Sequence, residues 1–145
     1  IKNYFYESGQ CQESGRDQQH VQMGLAFLAC AAEIAWNQDI DLYGAFDNRL
    51  YKGFEYTARY MSGEEVPHVQ YITWFGKPVY GPEISSKKRY KICPDWERAY
   101  HHYHDRKGMD IPYTRKMIQK SRPEGTANQS FMPWASLTSI GFPVR

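Results

Sequence analysis

Apolar residues recur at intervals of three and four in two consecutive stretches divided by a short polar break, and this pattern confines the chain to a helical architecture. In the first stretch Val21, Leu25, Leu28, Ala32 and Ala35 keep that spacing between Arg16 and Asn37, which puts them on one stripe of a long helix. Ser14 precedes the stripe as an N-cap, and Asp17 falls in the first turn, where a carboxylate complements the helix dipole. Asn37-Gln38-Asp39-Ile40-Asp41 interrupts the pattern with short polar residues suited to a turn. A second helix is predicted from Leu42 to Met61, where Phe46, Leu50, Phe54, Thr57 and Met61 repeat the spacing. Two helices joined by so short a turn form an antiparallel pair.

Ser62-Gly63 ends that pair. Val66 to Tyr80, held between Pro67 and Pro78, reads as an aromatic-rich loop with room for one short strand. Lys87-Lys88-Arg89 reads as an exposed turn. Pro94 to Lys107 is a third predicted helix, with Pro at its start and Gly108 past its end, and Pro112 to Lys120 a short fourth. Arg122 to Arg145 reads as an irregular carboxy-terminal tail. The fold class expected is therefore mainly α, built of antiparallel helix hairpins. With 145 residues, 41% apolar and 16% aromatic, residues 1–145 suit a single domain.

The chain starts at Ile1 rather than Met, and Tyr4, Phe5 and Tyr6 already read as structured sequence, so a fragment of a longer chain is expected, with any export signal upstream. No run has the apolar length of a membrane span, and no basic-then-apolar leader opens the sequence. Cys11, Cys30 and Cys93 are too few and too scattered for a disulfide framework or a CxxC metal site; buried thiols and at most one disulfide are expected, and no metal. The net charge of +2 conceals an asymmetry, since residues 1–83 carry 6 Lys/Arg against 11 Asp/Glu and residues 84–145 carry 12 against 5. A basic second half suits a polyanionic partner, acidic glycan or nucleic acid, or is an ordinary solvated face.

Two clusters hold residues able to do chemistry. Glu13, Arg16, Asp17, Gln18 and His20 crowd the mouth of the first helix, where packing gains little from them. Arg16 and His20 are four apart and share a face if the helix begins at Arg16, so a carboxylate held by Arg16 would lie beside the imidazole, with Gly24 leaving space on the same face. The alternative is a helix start fixed by Glu13 and Asp17 pairing with Arg16. In the second cluster Tyr100, Tyr103 and His104 converge on one side of the third helix, near Trp96, and can act as acids and bases or simply pack. His101 and His102 point apart, which does not support zinc. No GxSxG elbow, glycine-rich phosphate loop or HExxH is present. Trp36, Tyr43, Trp74, Phe75, Trp96 and Trp134 have flat faces suited to sugar rings, although most belong in a core.

Glu13-Ser14-Gly15-Arg16-Asp17-Gln18-Gln19-His20, Ala32-Glu33-Ile34-Ala35-Trp36-Asn37-Gln38 and Asp41-Leu42-Tyr43 resemble the alginate lyase superfamily, as do the less specific Tyr100-His101-His102-Tyr103, Arg106-Lys107-Gly108 and Arg122-Pro123-Glu124-Gly125. The resemblance implies the carboxy-terminal portion of an α/α toroid, incomplete here, whose remainder lies upstream. It implies a secreted or periplasmic polysaccharide lyase that cleaves an alginate- or glucuronan-type polymer by β-elimination, without a cofactor, a nucleic acid or a membrane partner. That reaction needs the uronate carboxylate neutralised, a base at the C5 proton and an acid at the leaving oxygen. Carried onto matching positions, Arg16 is the neutraliser, His20 the base or a carboxylate partner, and Glu13 and Gln18 their support. The family's Asn-His segment has no counterpart here. His20 and Gln22 stand near where some members place a catalytic Tyr, so Tyr103 takes that part, with Tyr100 and His104 beside the substrate. The alternative is a non-catalytic acidic-glycan-binding module of the same fold; a basic nucleic-acid binder leaves Glu13, Asp17 and the aromatic loop without a role.

Overall fold

The computed structural model describes residues 1–122, 124 and 134–139. Its helices are α1 (Gln18–Trp36), α2 (Ala45–Met61), α3 (Trp96–Tyr100), α4 (Pro112–Ser121) and α5 (Ala135–Thr138). A 3-10 turn, Gln12–Gly15, precedes α1, and a π-helical segment, His101–Arg106, continues α3. Among the described residues there is no strand, only two isolated bridges, Phe5 with Cys11 and Ile72 with Pro78. The fold is mainly α. The expected short strand in residues 66–80 is reduced to the second bridge, because the loop turns back at Gly76, with φ of 74°, after too few residues to build a ladder.

The start of α1 differs from expectation. The helix begins at Gln18, and its cap is Asp17, whose carboxylate accepts from the backbone N–H of Gln19 at 3.0 Å and of His20 at 2.9 Å. Ser14 serves the preceding turn instead, its hydroxyl accepting from the Cys11 N–H at 3.2 Å. An acidic residue wins the cap because it satisfies two orphan donors at the positive end of the helix. Arg16 therefore lies outside the helix.

Residues 37–44 connect α1 to α2. Tyr4 and Phe5, adjacent in sequence, pack against Gly24 of α1 and Gly53 of α2 on either side of that connection, so the two helices run antiparallel. The approach is close: a Cβ at Gly53 would meet the Phe5 ring at 2.7 Å. Phe46, Asp47 and Asn48 take left-handed φ values of 55°, 56° and 52°, and the regular part of α2 follows them. This turn of opposite hand leaves Phe46 half exposed, outside the stripe to which its spacing assigned it, while Leu50, Phe54, Thr57 and Met61 are buried as expected.

The core joins Val21, Leu25, Ala29 and Ala32 of α1 to Leu50, Phe54, Ala58 and Met61 of α2, and adds Trp96, Ala99 and Tyr103 with Met117 and Ile118 of α4. Burying each large side chain contributes about 1.5–3 kcal/mol. Glu55 of α2 caps α4, accepting from the N–H of Tyr113 at 3.1 Å and of Thr114 at 2.8 Å. Pro112 opens that helix as predicted.

The third helix starts at Trp96 rather than Pro94 and does not stay α-helical. From His101 it widens, with the Lys107 N–H donating to the His102 carbonyl at 3.1 Å, and it ends before Gly108 at φ of 66°. Within the tail, α5 replaces an irregular stretch, with Glu124 accepting from the Ser136 N–H. Residues 123, 125–133 and 140–145, to which the rest of that tail expectation and part of the Arg122-Pro123-Glu124-Gly125 motif belong, lie outside the described residues. Cys11, Cys30 and Cys93 form no disulfide.

Candidate functional site

The polar residues at the mouth of α1 gather around a cavity of about 240 Å³ lined by Tyr4, Glu13, Arg16, His20, Met23, Gly24 and Phe27. Arg16 and His20 meet here, but not by the helical spacing that suggested it. His20 lines the cavity from the first turn of α1 and Arg16 from the end of the 3-10 turn, with the extended Asp17, whose φ is −172°, between the two elements.

Asp17 organises the imidazole as well as the helix. Its second carboxylate oxygen lies 2.8 Å from Nδ1 of His20. With the proton on Nδ1 facing that carboxylate, Nε2 keeps its lone pair and can accept a proton. Burial pushes the Asp17 carboxyl up, but the hydrogen bonds from the His20 amide and ring and from the Gln19 amide outweigh it and hold the group below its usual range.

Glu13 pairs with Arg16 at 3.2 Å and accepts from the Tyr80 hydroxyl at 3.2 Å. The alternative of Glu13 pairing with Arg16 is therefore also realised. The pair is a solvent-facing one, with the Arg16 side chain 45% exposed, and such pairs hold weakly. Tyr4 was missed in the sequence. Its hydroxyl lies so close to α1 that a Cβ at Gly24 would meet it at 1.9 Å. Burial first, then the neighbouring Cys11 and Glu13, push its phenol well above the ordinary value, so it stays protonated. The space foreseen beside Gly24 is filled by this tyrosine.

Gln18 does not line the cavity. It is buried, and its side-chain amide donates to the Ser85 carbonyl at 2.8 Å and the Ser14 carbonyl at 3.3 Å. Its work is to pin a distant segment to the helix start.

Tyr103, Tyr100 and His104 do not join this site. Tyr103 is fully buried, and its hydroxyl donates to the Tyr43 carbonyl at 3.0 Å. Burial pushes its phenol far up. Tyr100 and His104 stack at 4.7 Å between ring centres, and His104 bonds Asp105 at 2.7 Å. Tyr103, turned off that face, packs edge-on against Tyr43 and Tyr51. Of the aromatics considered for sugar stacking, Tyr43 and Trp96 are core and Trp36 packs edge-on against His102, whereas Trp74 and Phe75 stand in solvent with their rings 3.7 Å apart and Trp134 is half exposed.

Residues 5–67 match the protein family described as Alginate lyase. Over this stretch the chain is similar to that family. The matched segment takes in α1 and α2 and every residue of the cavity except Tyr4, which precedes it by one position. The cluster around Tyr103 lies beyond it. The chain matches no curated protein and no solved structure. No described helix is long and apolar enough to cross a membrane, and among the described residues no three His, Cys, Asp or Glu side chains gather as a metal site would require.

Proposed function

We propose that this chain belongs to a polysaccharide lyase that cleaves a uronic-acid polymer by β-elimination, as part of a larger α/α toroid domain acting outside the cytoplasm. The observation that carries the reading is the shared cavity of Arg16 and His20, with His20 oriented by Asp17, inside the segment that matches the alginate lyase family.

In this reading the uronate carboxylate displaces Glu13 and binds the Arg16 guanidinium, which favours the negative charge that builds up as C5 loses its proton. His20 Nε2 takes that proton. The electron pair forms the C4–C5 double bond as the C4–O bond breaks, and the departing oxygen takes a proton. Tyr4, whose phenol lines the same cavity, supports that last step in place of Tyr103, whose hydroxyl is committed to the Tyr43 carbonyl.

The test is the rise of ultraviolet absorbance from the unsaturated product. Arg16→Ala and His20→Ala are each expected to lower turnover about a hundredfold or more, with circular dichroism unchanged. Cleavage at the original rate by both folded variants refutes the site. Binding of polyuronate without cleavage by the unaltered protein selects the alternative, a non-catalytic acidic-glycan-binding module.

A further inference from the structure

Residues 85–93 are laid against the first turns of α1 by a set of buried glutamine contacts. The Gln18 side chain donates to Ser85, and its backbone N–H donates to the Lys87 carbonyl at 3.0 Å. One turn on, the Gln22 amide donates to the Lys91 carbonyl at 2.8 Å and its oxygen accepts from the Cys93 N–H at 2.8 Å. The Ser85 N–H reaches the Ser14 carbonyl at 2.9 Å. Two fully buried glutamines therefore hold one backbone segment in place, while their amides also donate to the Ser14 and Gln18 carbonyls.

That segment is Lys87-Lys88-Arg89-Tyr90-Lys91. Arg89 turns inward, donating to the carbonyls of Tyr60 and Glu64 and pairing with Glu65. Lys87, Lys88 and Lys91 are exposed, and Tyr90 is 73% exposed between them. No salt bridge among the described residues includes any of the three lysines. The nearest contact is Lys91 Nζ to the Gln19 side-chain oxygen at 3.2 Å, one residue before His20.

For stability alone this arrangement is unfavourable. A helix N-terminus carries partial positive charge and favours carboxylates nearby, not a run of ammonium groups. Like charges close in sequence also repel one another. Hydrogen bonds from two buried side chains hold the segment there, and no described carboxylate pairs with its three exposed lysines, which leaves them open to an anion from outside.

We infer that Lys87, Lys88 and Lys91, with the face of Tyr90, form a binding rail for the carboxylates of an acidic polysaccharide on sugar units beside the one held at Arg16. This rests on the lyase reading for the identity of the polymer. The rail borders the cavity, because Met23, which lines it, packs against the cluster that Ala26 forms with Cys93 at the rail's end, and Lys91 bonds Gln19, the neighbour of His20. A polyuronate carries one carboxylate on each unit, which suits ammonium groups spread along an extended segment, and its sugar faces suit an exposed phenol ring.

The test compares the unaltered protein with the Lys87→Gln, Lys88→Gln, Lys91→Gln triple variant, all three positions being exposed. Affinity for polyuronate is read at several salt concentrations, beside a neutral glycan and a single-stranded polynucleotide. The triple variant is expected to bind polyuronate about tenfold more weakly at low salt and to show a flatter salt dependence, and its KM to rise more than its kcat falls. Arg16→Ala is expected to lose turnover while keeping the salt-dependent binding. If cleavage is absent throughout but lysine-dependent polyuronate binding persists, the lyase reading fails and the rail stands. Equal polyuronate affinity in the two proteins, no polyuronate binding at all, or tighter binding of the polynucleotide at equal salt overturns the rail.

Discussion

Asp17 contacts His20 twice, accepting its backbone N–H at 2.9 Å and its ring Nδ1 at 2.8 Å, so one carboxylate both starts the helix and aims the imidazole. Asp17→Asn separates the two roles. Asparagine caps a helix about as well as aspartate, so the melting temperature is expected to change little at neutral pH. Turnover is expected to fall, because an amide N–H placed opposite Nδ1 donates instead of accepting and moves the ring proton to Nε2. The charge effect on stability has a definite sign. The folded carboxyl is held below its ordinary value of 3.8, so its contribution is complete above that value and is lost as pH falls below it through the lowered folded value. Thermal unfolding of both proteins across acidic pH, with product absorbance at neutral pH, checks the pair of outcomes.

Gly24 has no room for a side chain. Gly24→Ala would drive a methyl into the Tyr4 hydroxyl, since the Cβ would lie 1.9 Å from it. A cost of about 1–3 kcal/mol is expected from the overlap, or displacement of Tyr4 with a loss of turnover exceeding the loss of stability. Chemical denaturation together with the cleavage assay distinguishes these, and a variant unchanged in both contradicts the placement of Tyr4.

In the proposed mechanism Tyr4 takes the part that the resemblance gave to Tyr103. Tyr103→Phe removes a buried hydroxyl that donates to the Tyr43 carbonyl, leaving that acceptor unpaired, so stability is expected to fall by about 1 kcal/mol with turnover preserved. Tyr4→Phe is expected to reduce turnover more than stability. The opposite ranking in the cleavage assay would return the proton donor to Tyr103.

Acid sensitivity centres on Glu97, whose side chain is fully buried. Burial raises its carboxyl, but hydrogen bonds from Arg122 and His101 outweigh that and bring it down to about 2. Its stabilising contribution is therefore present above the unfolded value of about 4.5 and is lost as pH falls from there toward 2. His101 acts in the opposite sense. The hydrogen bond to Glu97 holds its imidazole above 6.5, so its contribution is present below that value and lost as pH rises through the elevated one. Glu97→Gln is expected to cost stability at neutral pH and to flatten the decline between pH 4.5 and 2 relative to the unaltered protein. Denaturation midpoints over that interval test it, and parallel curves for the two proteins would remove Glu97 from the account.

The spacing of Val21, Leu25, Ala32 and Ala35 and of Leu50, Phe54 and Met61 was enough to give two helices with buried stripes, because helical periodicity is a local property and each stripe needs only a partner surface. The grouping of Glu13, Arg16 and His20 was visible for a related reason, since they lie within one short segment. The resemblance to alginate lyases rested on that same segment. Sequence spacing did not place Tyr103, because a change from α to π winding rotates every following side chain and no propensity marks where it occurs. Nor did it identify Tyr4, one of three consecutive Tyr4-Phe5-Tyr6 aromatics that differ only in which of them meets Gly24. Gln18 shows the limit most directly. Its position at the helix mouth suggested contact with substrate, yet its partner is Ser85, 67 residues away in sequence. Contacts across such separations depend on how the intervening chain returns, and here only the tertiary structure brings the basic run at Lys87–Lys91 to the side of Gln19 in the first turn of α1.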